Sequence, residues 1–322
     1  MDVSVIIASW NAATFLPRAI SSALGQQNVT LEIIVCDDAS VDDTEKLMLE
    51  ISDHRVRYIR FDVNSGPAAA RNAGLAAARG EWIIILDADD LIDPDRAWRL
   101  IKLARETDAD ILADNLQIVL CDGQPCGFLI EETLDGSCEK IDLENYILRN
   151  LSGRYGLGYL KPMLRRRFLV DHGILYRHDL RIGEDFALIC DMLTSNARFF
   201  RVKMARYRYT VHRGSVSHRI SARHLDAMIR YDCDWLEQNK GFAPSGAYAA
   251  MTLHLNDLTG LRAFTGMVYD IQEMKFWSFI RSAWRHPTAL GHFKGPFLAR
   301  IQRLQARWSK KVRHEEQTGA IS

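Results

Sequence analysis

The sequence lacks the features that direct a chain into or across a membrane. Its first residues contain no basic segment followed by a long apolar stretch, so no secretory signal peptide is predicted. No window approaches the roughly 20 consecutive apolar residues that a membrane-spanning helix requires. The chain is therefore expected to be a cytoplasmic protein, and any membrane contact is expected to be peripheral.

The six cysteines do not form a metal-binding pattern. A zinc site needs paired short spacings and four ligands, and no fourth ligand accompanies Cys121, Cys126 and Cys138. Cys36 and Cys190 lie in apolar runs, where a cysteine is usually a small buried hydrophobe. Reduced thiols with a structural role are expected.

Acidic residues are missing from one long stretch near the end of the chain. Lys and Arg balance Asp and Glu at 41 each, yet residues 275–313 contain no Asp or Glu and are rich in Lys and Arg. Trp and Phe alternate with these basic residues. The pattern is typical of a helix lying on anionic lipid, and equally of a solvated helix that packs its aromatic face on the rest of the protein. Nothing else in the sequence resembles a nucleic-acid-binding module.

The first apolar run is not followed by Gly-x-Gly-x-x-Gly, which argues against a dehydrogenase. What residues 1–120 do contain is an alternation of short β-branched runs and helical patterns, which predicts a parallel α/β sheet. One of the predicted helices begins at Gly66-Pro67, and Gly80 is expected to close it in a left-handed cap.

The alternation stops after residue 120, and the pattern of the chain changes. Residues 121–140 have no clear period and are interpreted as a hairpin or surface insertion. Helical patterns dominate after residue 141. We predict a domain of residues 1–240, with a nucleotide-binding half (1–120) and an acceptor half (121–240), and a helical basic region at 241–322.

Polar residues stand where three of the predicted strands end. In a doubly wound sheet such positions line the ligand crevice, because ligands bind outside the carboxyl ends of the strands. The residues are Ser9, Trp10 and Asn11 after the first strand, Asp37 and Asp38 after the second, and Asp87, Asp89 and Asp90 after the fourth.

Carboxylates gathered at one edge repel each other unless a cation or hydrogen-bond donors balance them. Hard oxygen ligands suit Mg²⁺ or Mn²⁺, which usually bind through one or two carboxylates and substrate phosphates, so a nucleotide diphosphate is indicated. Alternatively, Asp37, Asp38 and Asp90 cap helices or tighten turns. Because acids follow two strands, with Arg71-Asn72-Ala73-Gly74 between them, the site is favoured.

Five segments of the chain follow a known pattern in their order and spacing: residues 5–11, 32–44, 64–74, 80–82 and 86–90. They resemble the opening of glycosyltransferase family 2, and a weaker resemblance continues up to residue 215. It implies an α/β, Rossmann-like nucleotide-diphospho-sugar transferase domain of the GT-A type. Such a domain has a mostly parallel central sheet, here followed by a helical C-terminal region.

The resemblance also implies roles for individual residues. Asp38 would hold the uracil base, Asp87 the ribose or metal, and Asp89 the metal, Mn²⁺ or Mg²⁺, that bridges the diphosphate. Arg71 would face the nucleotide. Trp10 stands where the family usually has Tyr and can still stack on a base, and Ser9 and Asn11 belong to the same nucleotide-binding segment.

The family's catalytic base lies in a Glu-Asp pair at the start of a later helix, and Glu184-Asp185 fits that pattern. Asp185 is the candidate, because a carboxylate can take the proton of an attacking acceptor hydroxyl. An ordinary helix start, where the macrodipole favours acids, is the alternative. His212 and Arg213 are secondary candidates for phosphate contacts, and a solvated strand and turn is an equally good interpretation of them.

The expected reaction is inverting transfer of glucose or a similar hexose from a UDP-sugar to a saccharide acceptor. A polyprenyl-diphosphate-linked acceptor in exopolysaccharide or surface polysaccharide biosynthesis fits best. The chain lacks the Gln-x-x-Arg-Trp motif of processive synthases, so single addition is expected. Two alternatives stay open: a sugar nucleotidyltransferase, whose Gly-rich basic loop is missing here, and a non-catalytic nucleotide-sugar-binding protein with the same fold.

Overall fold

The computed structural model describes residues 1–151, 156–211 and 220–272, together with Arg281 and Trp284. The strands are β1 (Val3–Ser9), β2 (Leu31–Asp37), β3 (Val56–Arg60), β4 (Trp82–Ile85), β5 (Leu91–Ile92), β6 (Ile111–Leu120), β7 (Pro125–Phe128), β8 (Cys138–Ile141), β9 (Met163–Arg165) and β10 (Phe199–Val211). The helices are α1 (Leu16–Leu24), α2 (Thr44–Glu50), α3 (Pro67–Ala77), α4 (Arg96–Thr107), α5 (Leu143–Leu148), α6 (Arg166–His172), α7 (Glu184–Thr194), α8 (Ala222–Gln238) and α9 (Ser245–Gln272).

One sheet contains all of these strands, in the order β3-β2-β1-β4-β9-β6-β10-β5, with β7 paired to β6 and β8 to β10. The predicted α/β class with a helical C-terminal region is confirmed. The neighbours β3, β2, β1 and β4 are parallel, as expected. Further along the described sheet β6 and β10 are also parallel, while the short strands β5, β7, β8 and β9 pair antiparallel with their neighbours. The central sheet is therefore mostly parallel, as predicted, with short antiparallel strands added to it.

The length of the connection between two strands explains whether they are parallel or antiparallel. Parallel neighbours need a crossover, usually a helix, whereas a short turn returns the chain antiparallel. Residues 121–124 are such a turn, and β7 pairs antiparallel with β6 directly after it. The hairpin interpretation of residues 121–140 is thus confirmed for β7. The second strand of this stretch, β8, pairs instead with β10.

Buried aliphatic side chains hold the parallel half of the sheet together. Ile34, Ile6 and Ile85 are in register across β2, β1 and β4, and each is at most 1% exposed. Strands covered on both faces have nearly continuous apolar runs, as β4 and the middle of β1 and β2 do. Burying one such side chain stabilises the fold by about 1.5–3 kcal/mol. Helix α3 packs closely on β1, where a Cβ at Gly74 would overlap the side chain of Ile6.

The left-handed cap predicted at Gly80 is wrong. Helix α3 ends at Ala77, and its C-cap, Ala78, is extended with φ −69° and ψ 140°. Gly80 serves a different purpose, since a Cβ there would lie 2.5 Å from the backbone nitrogen of Ser4. The N–H of Gly80 also donates to Ser4 Oγ at 2.8 Å. A side chain is excluded because β1 passes too close.

We expect Gly80→Ala to lower the free energy of unfolding by about 3 kcal/mol, because the methyl group meets backbone atoms that cannot rotate away. Gly266→Ala is the matched control. Gly266 lies inside α9, and the nearest atom to a Cβ there is Arg262 Nη1 at 4.0 Å. Alanine should raise stability at Gly266 by about 0.5–1 kcal/mol. Thermal and denaturant unfolding measure both, and equal stability of the two variants would contradict the steric explanation.

The described residues divide into two compact units, one within Met1–Ile220 and Arg230–His254 and one within Ser221–Ile229 and the described residues from Leu255 onwards. The predicted boundary at residue 241 stays a prediction. Among the described helices, none has the length and apolar character needed to cross a bilayer. Apart from Arg281 and Trp284, the basic stretch of residues 275–313 lies outside the described residues, so its proposed membrane contact also stays a prediction.

Candidate active site

The carboxyl ends of β2, β1 and β4 meet at one edge of the sheet because these strands are parallel neighbours. Ser9 is paired with Asp37 at the ends of β1 and β2, and β4 leads directly into residues 86–90. The structure therefore brings the three predicted polar clusters to the same edge.

Asp37 is fully buried, and its carboxylate is bound by neighbouring residues. Its buried carboxylate accepts hydrogen bonds from Ser40 N (3.1 Å), Ser40 Oγ (2.5 Å) and Tyr58 Oη (2.7 Å). Of the two interpretations of this aspartate, the structural one fits. Asp37 holds the turn that follows β2.

Asp38 holds the segment that leads into α3. Its two carboxylate oxygens accept hydrogen bonds from Ser65 N at 2.6 Å and Gly66 N at 2.8 Å. Its own N–H donates to Ser9 O at 2.8 Å, so the ends of β1 and β2 and the start of α3 are joined through one residue. The contact between Asp38 and uracil stays a prediction.

Ser9 ends β1, and Trp10 and Asn11 follow it directly. These three residues have different surroundings. Asn11 Oδ1 accepts from Val41 N at 2.9 Å, and Asn11 N donates to Ser40 Oγ at 2.8 Å, so Asn11 fixes the neighbouring loop. Trp10 is 57% exposed, which leaves its ring available for stacking. Ser9 Oγ is buried and has no hydrogen-bond partner among the described residues. Of the three residues, Trp10 is therefore the one best placed to contact a ligand directly.

Arg71, Asp87, Lys161, Glu184 and Asp185 form what we call the charge cluster. Arg71 donates from Nη1 to Glu184 Oε1 at 2.5 Å and from Nη2 to Asp87 Oδ1 at 3.0 Å. Lys161 Nζ lies 2.9 Å from Asp87 Oδ2 and 3.0 Å from Asp185 Oδ2. Arg71 Nη1 also lies 3.6 Å from Asp185 Oδ1. The predicted nucleotide contact, metal ligand and base are therefore in one network.

The charge cluster changes the electrostatic argument for a metal. Repulsion among the carboxylates was expected to require a divalent cation, but Arg71 and Lys161 already pair with Asp87 and Asp185. Burial by itself raises the pKa of the Asp87 carboxyl, but Lys161 and Arg71 outweigh it and lower this pKa well below its usual range. Repulsion alone is thus no argument for a metal at Asp87.

The pKa values of the adjacent acids at the start of α7 are shifted in opposite directions. Burial raises the pKa of Glu184, and the attraction of Arg71 does not fully offset it. Burial also acts to raise the pKa of Asp185, but the positive charges of Arg71 and Lys161 outweigh burial and lower it. Of the two, Asp185 is the acid whose surroundings favour the ionised form, which is the form a general base needs.

Asp90 anchors the loop that carries Asp87 and Asp89. The fully buried carboxylate of Asp90 accepts from Tyr207 Oη at 2.8 Å and from Thr210 N at 2.7 Å. Tyr207 Oη in turn accepts from Asp87 N at 3.1 Å. Asp90 thus ties the loop to β10, as expected for a structural residue, while Asp89 stays half-buried.

Within the described ranges, no three His, Cys, Asp or Glu side chains are grouped so that they could enclose a metal ion by themselves. Hard carboxylate oxygens at Asp89 and Asp87 nevertheless suit an ion that takes its remaining ligands from a substrate diphosphate. His212 and Arg213, the secondary candidates, lie outside the described residues.

Three residues at the site were missed by sequence reasoning. Lys161 is a single lysine before a short apolar strand, and its only signal is a charge among apolar neighbours. Tyr207 belongs to a strand whose register was not predicted. Tyr176 lies under the guanidinium of Arg71, 5.3 Å from the ring centroid.

The residue after Arg71 holds the same loop in place. Asn72 Nδ2 donates to Tyr176 O at 2.8 Å, and Asn72 Oδ1 accepts from Tyr176 N at 2.9 Å. Arg71-Asn72-Ala73-Gly74 therefore has three separate functions: pairing with the acids, holding the loop that leads to α7, and allowing α3 to approach β1.

A parallel nucleotide-binding half, aspartates after β2 and β4, and an acidic pair at the start of a later helix together define a sugar-nucleotide transferase fold of the GT-A type. Residues 4–180 match the model of "Glycosyl transferase family 2", and the chain belongs to that family. The resemblance on which the residue roles were based is thus confirmed at the level of the family.

Two relatives show how far the similarity extends. The chain is 37% identical to the succinoglycan biosynthesis protein ExoO of Rhizobium meliloti (strain 1021), over 97% of this chain and 90% of that protein. It is 29% identical to an Escherichia coli protein named UDP-Glc:alpha-D-GlcNAc-diphosphoundecaprenol beta-1,3-glucosyltransferase WfgD, over 60% of this chain and 70% of that protein.

The fold has a counterpart among solved structures. S. aureus TarS 1-349, crystallised in complex with UDP-GlcNAc, superposes with a TM-score of 0.69 at 20% identity, covering 90% of this chain and 81% of that chain. At this identity the likeness shows the fold alone.

Proposed function

We propose that the protein is an inverting glycosyltransferase that moves a hexose, such as glucose, from a UDP-sugar to a saccharide carried on a polyprenyl diphosphate. The observation that carries the proposal is the position of Asp185. Asp185 lies in the first turn of α7, and its carboxylate lies 3.0 Å from Lys161 Nζ, which in turn lies 2.9 Å from Asp87, just after β4. A candidate base thus stands beside the candidate donor site, separated by one ammonium group.

Sugar transfer needs a group that takes a proton as the new bond forms. An acceptor hydroxyl oxygen attacks the anomeric carbon, the bond from that carbon to the diphosphate oxygen breaks, and UDP leaves with the bonding electrons. Asp185 receives the hydroxyl proton, and its lowered pKa means that it is ionised at neutral pH. A single displacement inverts the anomeric centre.

On the donor side, Asp87 and Arg71 are the proposed contacts to the nucleotide, and the exposed ring of Trp10 is the proposed surface for stacking on the base. Asp89 together with Asp87 would hold Mn²⁺ or Mg²⁺, which offsets negative charge on the departing diphosphate when it is bound. Asp90 and Tyr207 keep the loop that carries both aspartates in place.

The names of the relatives support the donor and acceptor classes. WfgD is named for UDP-Glc as donor and for a sugar on diphosphoundecaprenol as acceptor. ExoO is named for succinoglycan biosynthesis and matches nearly the whole chain. A hexose donor and a lipid-linked acceptor in polysaccharide biosynthesis are therefore the first combination to test.

The donor class is tested with a panel of UDP- and GDP-sugars in the presence of Mn²⁺ or Mg²⁺. We expect UDP-sugars, UDP-glucose among them, to raise the melting temperature and to be hydrolysed slowly without acceptor, because ligands that bind only the folded state stabilise it. GDP-sugars should do neither. A preference for GDP-sugars would count against Asp38 as the contact to uracil.

The acceptor class is tested separately. The same saccharide is offered with and without the polyprenyl diphosphate, at equal concentration and with the best donor of the panel. We expect product from the lipid-linked form only. Equal transfer to the free saccharide would remove the carrier from the proposal and leave the donor class untouched.

A further inference from the structure

Lys161 forms short ion pairs with both the donor-side aspartate Asp87 and the candidate base Asp185. Its Nζ lies 2.9 Å from Asp87 Oδ2 and 3.0 Å from Asp185 Oδ2. These two acids come from elements far apart in sequence, the end of β4 and the start of α7. The side chain of Lys161 is 10% exposed, so little water competes for its charge.

The backbone of Lys161 is held as firmly as its side chain. Arg96 Nη2 donates to Lys161 O at 2.5 Å, and the same guanidinium pairs with Asp114 at 2.7 Å. Both Arg96 and Asp114 are fully buried. A residue whose main chain and side chain are both fixed presents its charge at one place, which is what a preorganised site requires.

Arg71 does not substitute for this contact. Its guanidinium is engaged with Glu184 at 2.5 Å and with Asp87 at 3.0 Å, and its distance to Asp185 is 3.6 Å. Without the ammonium of Lys161, the partly buried carboxylates of Asp87 and Asp185 would repel each other with only Arg71 to balance them. The Asp185 carboxylate would then turn away or take up a proton.

We propose that Lys161 is a positioning residue for sugar transfer, holding the Asp185 carboxylate at a fixed place beside the donor-side Asp87. The inference rests on the proposed role of Asp185 as the base. Lys161 acts through Asp185, and its contribution appears in the step in which the acceptor hydroxyl loses its proton.

Single substitutions give the first test. We expect Lys161→Met to lower kcat about 100-fold, within the range for loss of a well-placed general base. The KM for the donor sugar should change much less than kcat. The kcat of Lys161→Arg should be at least about tenfold higher than that of Lys161→Met, because arginine keeps the positive charge although its shape differs. The control is Lys102→Met, an exposed lysine on α4 whose loss should leave kcat unchanged.

A double-mutant cycle separates positioning from a general structural effect. If Lys161 acts through Asp185, adding Lys161→Met to Asp185→Asn should lower kcat by less than about threefold, because residues that act as a unit are non-additive. If the double variant loses kcat by the product of the two single losses, the inference is wrong. Circular dichroism and melting temperature verify that each variant is folded, and Lys161→Arg replaces Lys161→Met in the cycle if the latter does not fold.

The cycle also keeps this inference apart from the proposed function. Full activity of Asp185→Asn alone would overturn the base assignment and the inference with it. Loss of activity in Asp185→Asn together with unchanged kcat in Lys161→Met would overturn the inference only.

Discussion

Asp185→Asn is expected to lower kcat about 10³-fold while the protein stays folded, because the amide has the shape of the carboxylate but cannot accept the proton of the acceptor hydroxyl. The KM for the UDP-sugar should change little, since the substitution leaves Asp87 and Asp89 in place. Initial rates of transfer to a lipid-linked saccharide, at saturating donor, measure the effect.

Asp191→Asn is the matched control for that experiment. Asp191 lies on the same helix and accepts a hydrogen bond from Tyr231 Oη at 2.9 Å, away from the charge cluster. Its kcat should stay within about threefold of the wild type, as expected for a substitution outside the acid–base site. Glu184→Gln tests the adjacent acid. If Glu184→Gln abolishes transfer while Asp185→Asn retains it, the base is Glu184 and not Asp185.

Asp89→Ala is expected to reduce transfer by about 10³-fold and to abolish the stimulation by Mn²⁺ or Mg²⁺, because it removes a hard oxygen ligand next to the proposed diphosphate site. A second readout does not depend on activity. UDP with Mn²⁺ should raise the melting temperature of the wild type by several degrees and that of Asp89→Ala much less.

The control for Asp89→Ala is Asp122→Ala, an exposed aspartate in the turn between β6 and β7. It should retain activity, metal stimulation and thermal stabilisation. Transfer by the wild type that continues undiminished after chelation would contradict metal dependence. Positive charge at the donor site would then come from Arg71 and Lys161, both of which lie within 3.0 Å of Asp87.

The parts of the fold that could be predicted are those in which short sequence segments determine the outcome. The apolar runs of β1, β2 and β4 are buried on both faces, so their composition alone indicates central parallel strands. Gly80 shows the limit of that reasoning. A glycine after a helix favours a left-handed cap, but here the requirement comes from Ser4, on a strand 76 residues earlier.

The residues of the site also divide into those that a local sequence motif identifies and those that only the fold brings together. Asp185 and Arg71 were found because they belong to recognisable local motifs. Lys161 belongs to none, and it lies beside Asp87 because β9 inserts between β4 and β6. Asp37 was grouped with the ligand-facing acids because its neighbours Ser40 and Tyr58 could not be placed beforehand.

The charge cluster has a consequence for how the protein can be divided. Arg71 and Asp87 come from residues 1–120, whereas Lys161, Glu184 and Asp185 come from the following half. A fragment ending after β6 would contain every predicted nucleotide contact of residues 1–120. In that fragment the buried Arg71 would lack Glu184 and Asp185, and the sheet would lack β9, the neighbour of β4. The proposed nucleotide contacts and the proposed base are therefore not separable modules: the charge cluster is complete only when the segment that contains Lys161 and Asp185 has folded against residues 1–120.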